Sequence, residues 1–319
     1  LVNNRLIAQS PATQKIQAYA ARIISTATLA SNVVYAEPKQ IIPIKISWEN
    51  KSSFKLQNLI LHVTSNLSEV IDWKKTAAEN NAKLETTGIF FNNASRTKLS
   101  DGNPGNGDDF AVNIFLLPAF NLSEAERVNL EIYPIITANL AGASSQEFSQ
   151  QGSGLSLPLA TEVDFTAEAR YYTSDGDQLG RGPLPPRVAK TTKYWIFVKI
   201  TNGTNPLNNA VFNTSLPAGV EFTGKQSASI GPQIDYNSAN RAFSWKYVSL
   251  PANSQTGLYF EVSVTPLASQ AGQNILLTNS LQFSAIDDFT NKKFDFSHPP
   301  LNNVLNSNDA GFDLGSKVR

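Results

Sequence analysis

A chain of 319 residues, 41% hydrophobic and 16% charged, is long enough for two cores and low in charge for a globular protein. Lysine plus arginine and aspartate plus glutamate both number 26, so there is no net field to attract nucleic acid or an anionic membrane. Cysteine is absent, which excludes disulfides, thiolate metal sites and a cysteine nucleophile.

Methionine is also absent, even at position 1, which reads as a processed product or a fragment whose signal or anchor lies elsewhere. No apolar run reaches the ~18 residues that a membrane-spanning helix needs. Residues 1–15 read as a linker or frayed end. Lys15 to Val34, rich in alanine and isoleucine behind Ser10-Pro11, suits a helix or a strand taken alone. Ser68 to Leu84 carries good helix formers after a capping residue and predicts a short helix. Ser100 to Asp109 is an acidic, glycine-rich loop, and the serine, glutamine and glycine run Gln146 to Gly154 reads as an interdomain linker.

Further on, Val163, Phe165, Ala167, Ala169 and Tyr171 share one face of a strand. Tyr194 to Ile200 runs into the turn Asn202-Gly203-Thr204-Asn205-Pro206, and a second strand, Asn209 to Leu216, closes at Pro217-Ala218-Gly219. Phe243, Trp245 and Tyr247 alternate with polar residues, as do Leu258, Phe260, Val262 and Val264. Ile275, Leu277, Leu281, Phe283 and Ala285 read as one long strand, with Phe294 and Phe296 on a short last one. Short alternating strands separated by turns predict a two-sheet sandwich.

The two halves of the chain repeat. Arg22 after Ala20-Ala21 parallels Arg170 after Glu168-Ala169, and Ile44 to Asn50 parallels Phe197 to Asn202. Leu56-Gln57-Asn58 parallels Leu207-Asn208-Asn209, and Phe91 to Arg96 parallels Tyr236 to Arg241. A nearly constant separation of about 150 residues indicates two copies of one unit. The match tilts Ala20 to Ile24 towards strand. The expected domains are residues 16–154 and 155–300, with 301–319 as a tail or linker.

An ordered set of motifs follows Pro185-Pro186-Arg187-Val188. It comprises Leu216-Pro217-Ala218-Gly219-Val220-Glu221-Phe222, Tyr236-Asn237 with Arg241, and Trp245. Phe260-Glu261-Val262-Ser263-Val264-Thr265-Pro266, Gln270-Ala271-Gly272 and Asp287-Asp288-Phe289-Thr290 complete it. Over residues 162–300 the series resembles the conserved-repeat, immunoglobulin-like domains of large bacterial envelope proteins, many of them from candidate phyla radiation bacteria. The first half departs from the pattern, with Asn66-Leu67-Ser68-Glu69-Val70 in place of the leucine-proline-x-glycine turn. The resemblance implies an all-β fold of two tandem immunoglobulin-like β-sandwich domains. It also implies a secreted, surface-displayed role in a stalk, adhesin or surface layer, with no reaction attached.

Asp101, Asn103, Asn106, Asp108 and Asp109 offer the oxygen ligands that Ca²⁺ prefers, although the loop lacks the full calcium-loop spacing and a closing glutamate. A solvated hairpin tip is the alternative reading. Asp175-Gly176-Asp177 is a weaker candidate of the same kind, and Asp287 and Asp288 read as a strand cap, with interdomain calcium as the alternative. His62 and His298 are the only histidines, and neither belongs to a hydrolase pattern. Lys199, Glu261 and Asn279 are the residue types of a lysine–asparagine isopeptide staple, set against a Lys199 that simply faces solvent. Sequons occur at Asn50, Asn66, Asn93, Asn121, Asn202 and Asn213. Tyr171, Tyr172, Trp195, Trp245 and Tyr259 would make a sugar-stacking platform if one exposed face held them, against ordinary core packing.

The expectation is a non-catalytic surface module that associates with itself or with other envelope proteins, and that faces a host or glycan surface. A calcium- or carbohydrate-binding module is the alternative.

Overall fold

The computed structural model describes residues 22–120, 122, 126–141 and 143–319. The linker expected over residues 1–15, together with Ala20 and Ala21, lies outside the described residues.

The fold is all-β, in antiparallel sheets. Its first part holds β1 (Ile23–Leu29), β2 (Ile41–Asn50), β3 (Leu56–Ser65), helix α1 (Trp73–Glu79), β4 (Lys83–Glu85) and β5 (Gly88–Phe91). It continues through β6 (Gly107–Phe115), β7 (Asn129–Leu140), β8 (Ala143–Gln151) and β9 (Leu155–Pro158). One sheet runs β1-β2-β6; the other runs β4-β5-β3-β7-β8, with β9 also paired to β7. Alternation decides which side chains meet between them: Ile42, Ile44, Ile46 and Trp48 of β2 are buried, as are Leu59, Leu61 and Val63 of β3. Each such side chain contributes about 1.5–3 kcal/mol on burial.

The predicted short helix forms, and it has a structural task. Asp72 caps it by accepting from the Lys75 amide at 2.9 Å. Its C-terminal Asn80 then mimics a strand: the side-chain amide donates to Asn113 O at 2.8 Å, and the side-chain oxygen accepts from Asn113 N at 2.9 Å. Thr76 Oγ1 accepts from Phe115 N at 3.1 Å. The helix thereby covers the free edge of β6, which would otherwise offer backbone groups to another chain.

The second part holds β10 (Val163–Arg170), β11 (Thr192–Asn202), β12 (Leu207–Ser215), β13 (Val220–Ala228) and β14 (Asp235–Asn237). It ends with β15 (Ala242–Leu250), β16 (Ser254–Val264), β17 (Leu281–Asp287) and β18 (Lys293–His298). The sheets are β10-β11-β16-β13 and β14-β15-β12-β17-β18. Tyr194, Ile196, Val198 and Ile200 face Phe212, Phe243, Trp245 and Phe283 in a second core, where Phe243 and Phe260 stack at 4.2 Å between ring centroids. Phe165 against Phe283 (5.6 Å) closes one flank of this sandwich, and Phe222 against Tyr236 (4.9 Å) the other.

Four expectations change. Gln146 to Gly154 is no linker, because its first residues lie in β8, paired to β7. Polar side chains do not prevent ladder pairing, and the last strand of a sheet tolerates them. Leu155–Pro158 pairs with β7, so it belongs with the first core rather than starting the second at 155. Residues 301–319 are no tail. Leu305 and Val318 enter the second core, Asn303 accepts from Ile275 N (2.8 Å), and Asp309 accepts from Tyr171 N (2.7 Å) and Tyr172 N (3.0 Å). The same contact ends the long strand read over Ile275 to Ala285: the strand is confined to Leu281–Asp287, while the stretch before it bridges to Asn302.

Candidate functional site

The acidic loop does not gather its carboxylates. Asp101 accepts from the side-chain amides of Asn103 and Asn106, the latter at 2.7 Å. Asp108 and Asp109 are neighbours on β6 and so point to opposite faces. Lys98 Nζ stands 3.0 Å from Asp108, and Lys45 Nζ 2.7 Å from Asp109. Hydrogen bonding to Lys45 holds the Asp109 carboxyl below the usual carboxylate range. The structure brings Asp101, Asn103 and Asn106 together and parts Asp108 from Asp109. Among the described residues, no group of three or more His, Cys, Asp or Glu side chains converges as a metal site would require. Asp175-Gly176-Asp177 is a tight turn, with Gly176 at φ 92° and Asp177 N bonded to Thr173 Oγ1 at 3.0 Å.

The residues of the isopeptide reading are also apart. Glu261 is buried, with Thr223 Oγ1 donating to it at 2.7 Å and Lys225 and Lys193 at 3.3 and 3.9 Å. Lys199 lies opposite Gly257 on β16, four positions from Glu261, or roughly 13 Å along a strand. Asn279 donates to Ser215 Oγ at 2.8 Å. Lys199 is exposed, as the plainer reading has it.

His62 has partners that the sequence did not reveal. Its Nδ1 is 3.1 Å from both Glu85 carboxylate oxygens, and its Nε2 is 3.5 Å from Thr137 Oγ1. Carboxylate, imidazole and hydroxyl stand in line, but Thr137 sits mid-strand on β7, with β3 on one side and β8 on the other. Backbone amides engaged in two ladders cannot form an oxyanion hole, so the line is a cross-strand network. His298 Nδ1 donates to Pro299 O at 2.8 Å.

Two sequon asparagines are buried structural groups. Asn50 donates to Gly102 O (2.8 Å) and Phe54 O (3.1 Å), and Asn202 donates to Asn205 O and Pro251 O, each at 2.8 Å. Asn66, Asn93 and Asn213 are exposed, and Asn121 lies outside the described residues. The aromatic residues divide: Trp245 and Tyr171 are core, whereas Trp195 and Tyr259 share the outer face of the β10-β11-β16-β13 sheet with Phe197.

A buried polar cluster joins the two parts of the chain. Asp287 is fully buried at the end of β17. Its Oδ1 accepts from Phe289 N (2.8 Å) and Thr290 N (3.0 Å), the strand-cap role read from the sequence. Its Oδ2 accepts from Thr161 N at 2.8 Å, in the crossing segment. Asn205, equally buried, donates to both Asp287 oxygens and to Leu159 O (2.8 Å), while its side-chain oxygen accepts from Arg127 N at 3.2 Å. Thr161 Oγ1 donates to Asn202 Oδ1 at 3.0 Å. Around this centre lie ion pairs of Arg127 with Asp288 and of Lys292 with Glu37. Hydrogen bonds from Arg127 and then Asn208 hold the Asp288 carboxyl below its ordinary range. The turn signal at Asn202 to Pro206 marked the place, but no local pattern showed that its side chains reach back to residues 127 and 159.

No family model matches the sequence, and no curated protein matches it. Among solved structures, the chain is similar to three N-terminal domains of the type V pili tip protein Mfa5 from Porphyromonas gingivalis. That match has 6% identity, covers 33% of this chain and 23% of the other, and has a TM-score of 0.26. The chain thus spans about a quarter of the tip-protein structure. The full-length major pilin SpaD from Corynebacterium diphtheriae matches at 11% identity over 92% of this chain and 69% of that one, with a TM-score of 0.32.

Proposed function

We propose that the chain is a non-catalytic structural module of a bacterial cell-surface protein. In this reading two tandem immunoglobulin-like sandwiches, meeting near residue 160, act as one stiff body that presents its faces and associates with its own kind. The observation that carries it is the buried Asp287–Asn205 cluster. Bending the chain at 159–162 would strip hydrogen bonds from a desolvated carboxylate and amide, which is costly in a way that a solvated linker is not. Two copies of one unit are supported by Asn58 and Asn209, which occupy matching bulges with φ of 52° and 53°. Surface placement rests on the ordered motifs of residues 162–300. Self-association is assigned to the outer edge of β8, the last strand of its sheet, since the comparable edge of β6 is covered by α1.

Small-angle scattering and sedimentation velocity over a concentration series, with and without calcium, test the proposal. One fixed arrangement of the two sandwiches and a concentration-dependent larger species are expected. A flexible ensemble would refute the stiff pair, and a monomer at every concentration would refute self-association.

A further inference from the structure

On the outer face of the β10-β11-β16-β13 sheet, Phe197 and Tyr259 are directly opposed across β11 and β16. Their ring centroids are 4.7 Å apart at 72°. Both rings point away from the core that Ile196, Val198, Leu258 and Phe260 build on the other face of the same strands. The Tyr259 ring lies over Gly257, where an added Cβ would overlap its hydroxyl and Cζ. Beside the pair is a groove of ≈ 540 Å³ whose walls include Glu168, Lys199, Gln255, His298 and Asn306. That volume is in the range of small-molecule sites, about 300–1,000 Å³.

Glu168, Asn306 and His298 are held by hydrogen bonds, and the polar groups of the wall are balanced in kind. Glu168 accepts from Arg170 Nε at 2.8 Å and from Asn306 Nδ2 at 3.2 Å, so its carboxylate is oriented and its charge offset. Because His298 donates through Nδ1 to Pro299 O, the neutral ring presents Nε2 as an acceptor. Gln255 both donates and accepts, and Lys199 adds a donor at the rim. The two rings stand on β11 and β16, interior strands each paired on both sides, so a polypeptide cannot pair its backbone beneath them; of this sheet's strands at the groove only β10, which supplies Glu168 to the wall, is an edge. What remains is stacking on two rings plus mixed hydrogen bonds with no large net charge. We propose that this groove binds a neutral oligosaccharide, with the apolar face of a pyranose ring stacked on one of the Phe197 and Tyr259 rings and against the edge of the other, and its hydroxyls bonded to Glu168, Gln255 and His298. The proposal does not depend on self-association.

Calorimetric titration of the full chain with cellohexaose, mannohexaose, maltohexaose and chitohexaose tests it. At least one should bind with a Kd of about 1 mM or tighter, and Tyr259→Ala or Phe197→Ala should weaken that binding about tenfold. Gly257→Ala keeps every lining side chain but displaces the Tyr259 ring, so it should weaken binding similarly while the melting temperature and circular dichroism stay unchanged. This arm decides the matter if a ring deletion disturbs the fold. No binding of any of the sugars at about 5 mM would overturn the proposal, as would binding that survives both Tyr259→Ala and Gly257→Ala.

Discussion

Asn205 donates its side-chain amide to both carboxylate oxygens of Asp287, at 3.2 and 3.0 Å, with both residues fully buried. The carboxylate also accepts from the backbone of Thr161, Phe289 and Thr290. Replacing it by alanine leaves these donors without a partner in a place that water does not reach. Asp287→Ala should therefore lower stability by about 3–5 kcal/mol, since several buried donors are left unmet at about 1–3 kcal/mol each. Urea denaturation gives the magnitude, and new proteolytic cleavage within residues 159–162 would place the loosening at the junction. Unchanged stability would mean that the cluster does not hold the two parts together.

Arg127 and Asp288 form an exposed clamp over the same junction. The folded-state value of Asp288 is depressed, chiefly by the hydrogen bond from Arg127. Its contribution is thus present above the ordinary carboxylate value, near 4, and disappears as pH falls through the lower folded value. An NMR titration of the Asp288 carboxyl carbon should give a midpoint below the ordinary range, and Arg127→Ala should return it most of the way. Asn208→Ala should produce a smaller return, because its hydrogen bond is the second cause.

Alternation within Tyr194 to Ile200 and Leu258 to Val264 made the second core legible, since period two alone assigns those side chains to one face. Partners distant along the chain were not legible. Thr161 and Asp287 are 126 residues apart, and nothing near either one signals the other. The same holds for the acidic loop: its spacing suggested a shared cation, and nothing in it signalled that Lys45 and Lys98 approach from outside to pair with Asp109 and Asp108 separately. Composition failed at both β8 and residues 301–319. A polar, glycine-containing stretch resembles a linker unless its backbone hydrogen-bond partners are known.

Tyr194 lies wholly inside the second core, and burial pushes its phenol well above the ordinary value. In the unfolded chain the phenol ionises near pH 10, while in the native protein it stays protonated. The unfolded state therefore binds fewer protons above that pH, and native stability falls there by about 1.4 kcal/mol per pH unit for this group. The contribution is complete below the unfolded value and is lost as pH rises towards the folded one. Tyr194→Phe removes the titrating group, so its stability should decline less steeply between about pH 10 and 11. Parallel alkaline limbs for the two proteins in denaturant titrations would contradict this.

Thr76 and Asn80 shield the edge of β6 by bonding to Phe115 and Asn113. The double variant Thr76→Val, Asn80→Ala should destabilise by about 1–3 kcal/mol through the unmet backbone groups. It should also expose a long edge strand, so sedimentation should show more association than the parent chain at equal concentration. Destabilisation without added association would mean that the helix itself still covers the edge.

Asn58 and Asn209 both adopt left-handed backbone conformations, at φ 52° and 53°, where β3 and β12 bulge against their neighbours. Asparagine tolerates this region better than alanine or β-branched residues, because its short polar side chain can hydrogen-bond to the local backbone. Asn→Ala should cost about 1 kcal/mol at either site, and Asn→Gly should be close to neutral. Asn58 also donates to Asn139 Oδ1 at 3.2 Å on the surface, so its alanine variant should lose slightly more. If the two parts of the chain are copies of one unit, the order glycine, alanine, valine must hold at both positions in thermal unfolding. A site where alanine is as stable as glycine would mean that its bulge can relax, and that the matching angles are not a shared constraint.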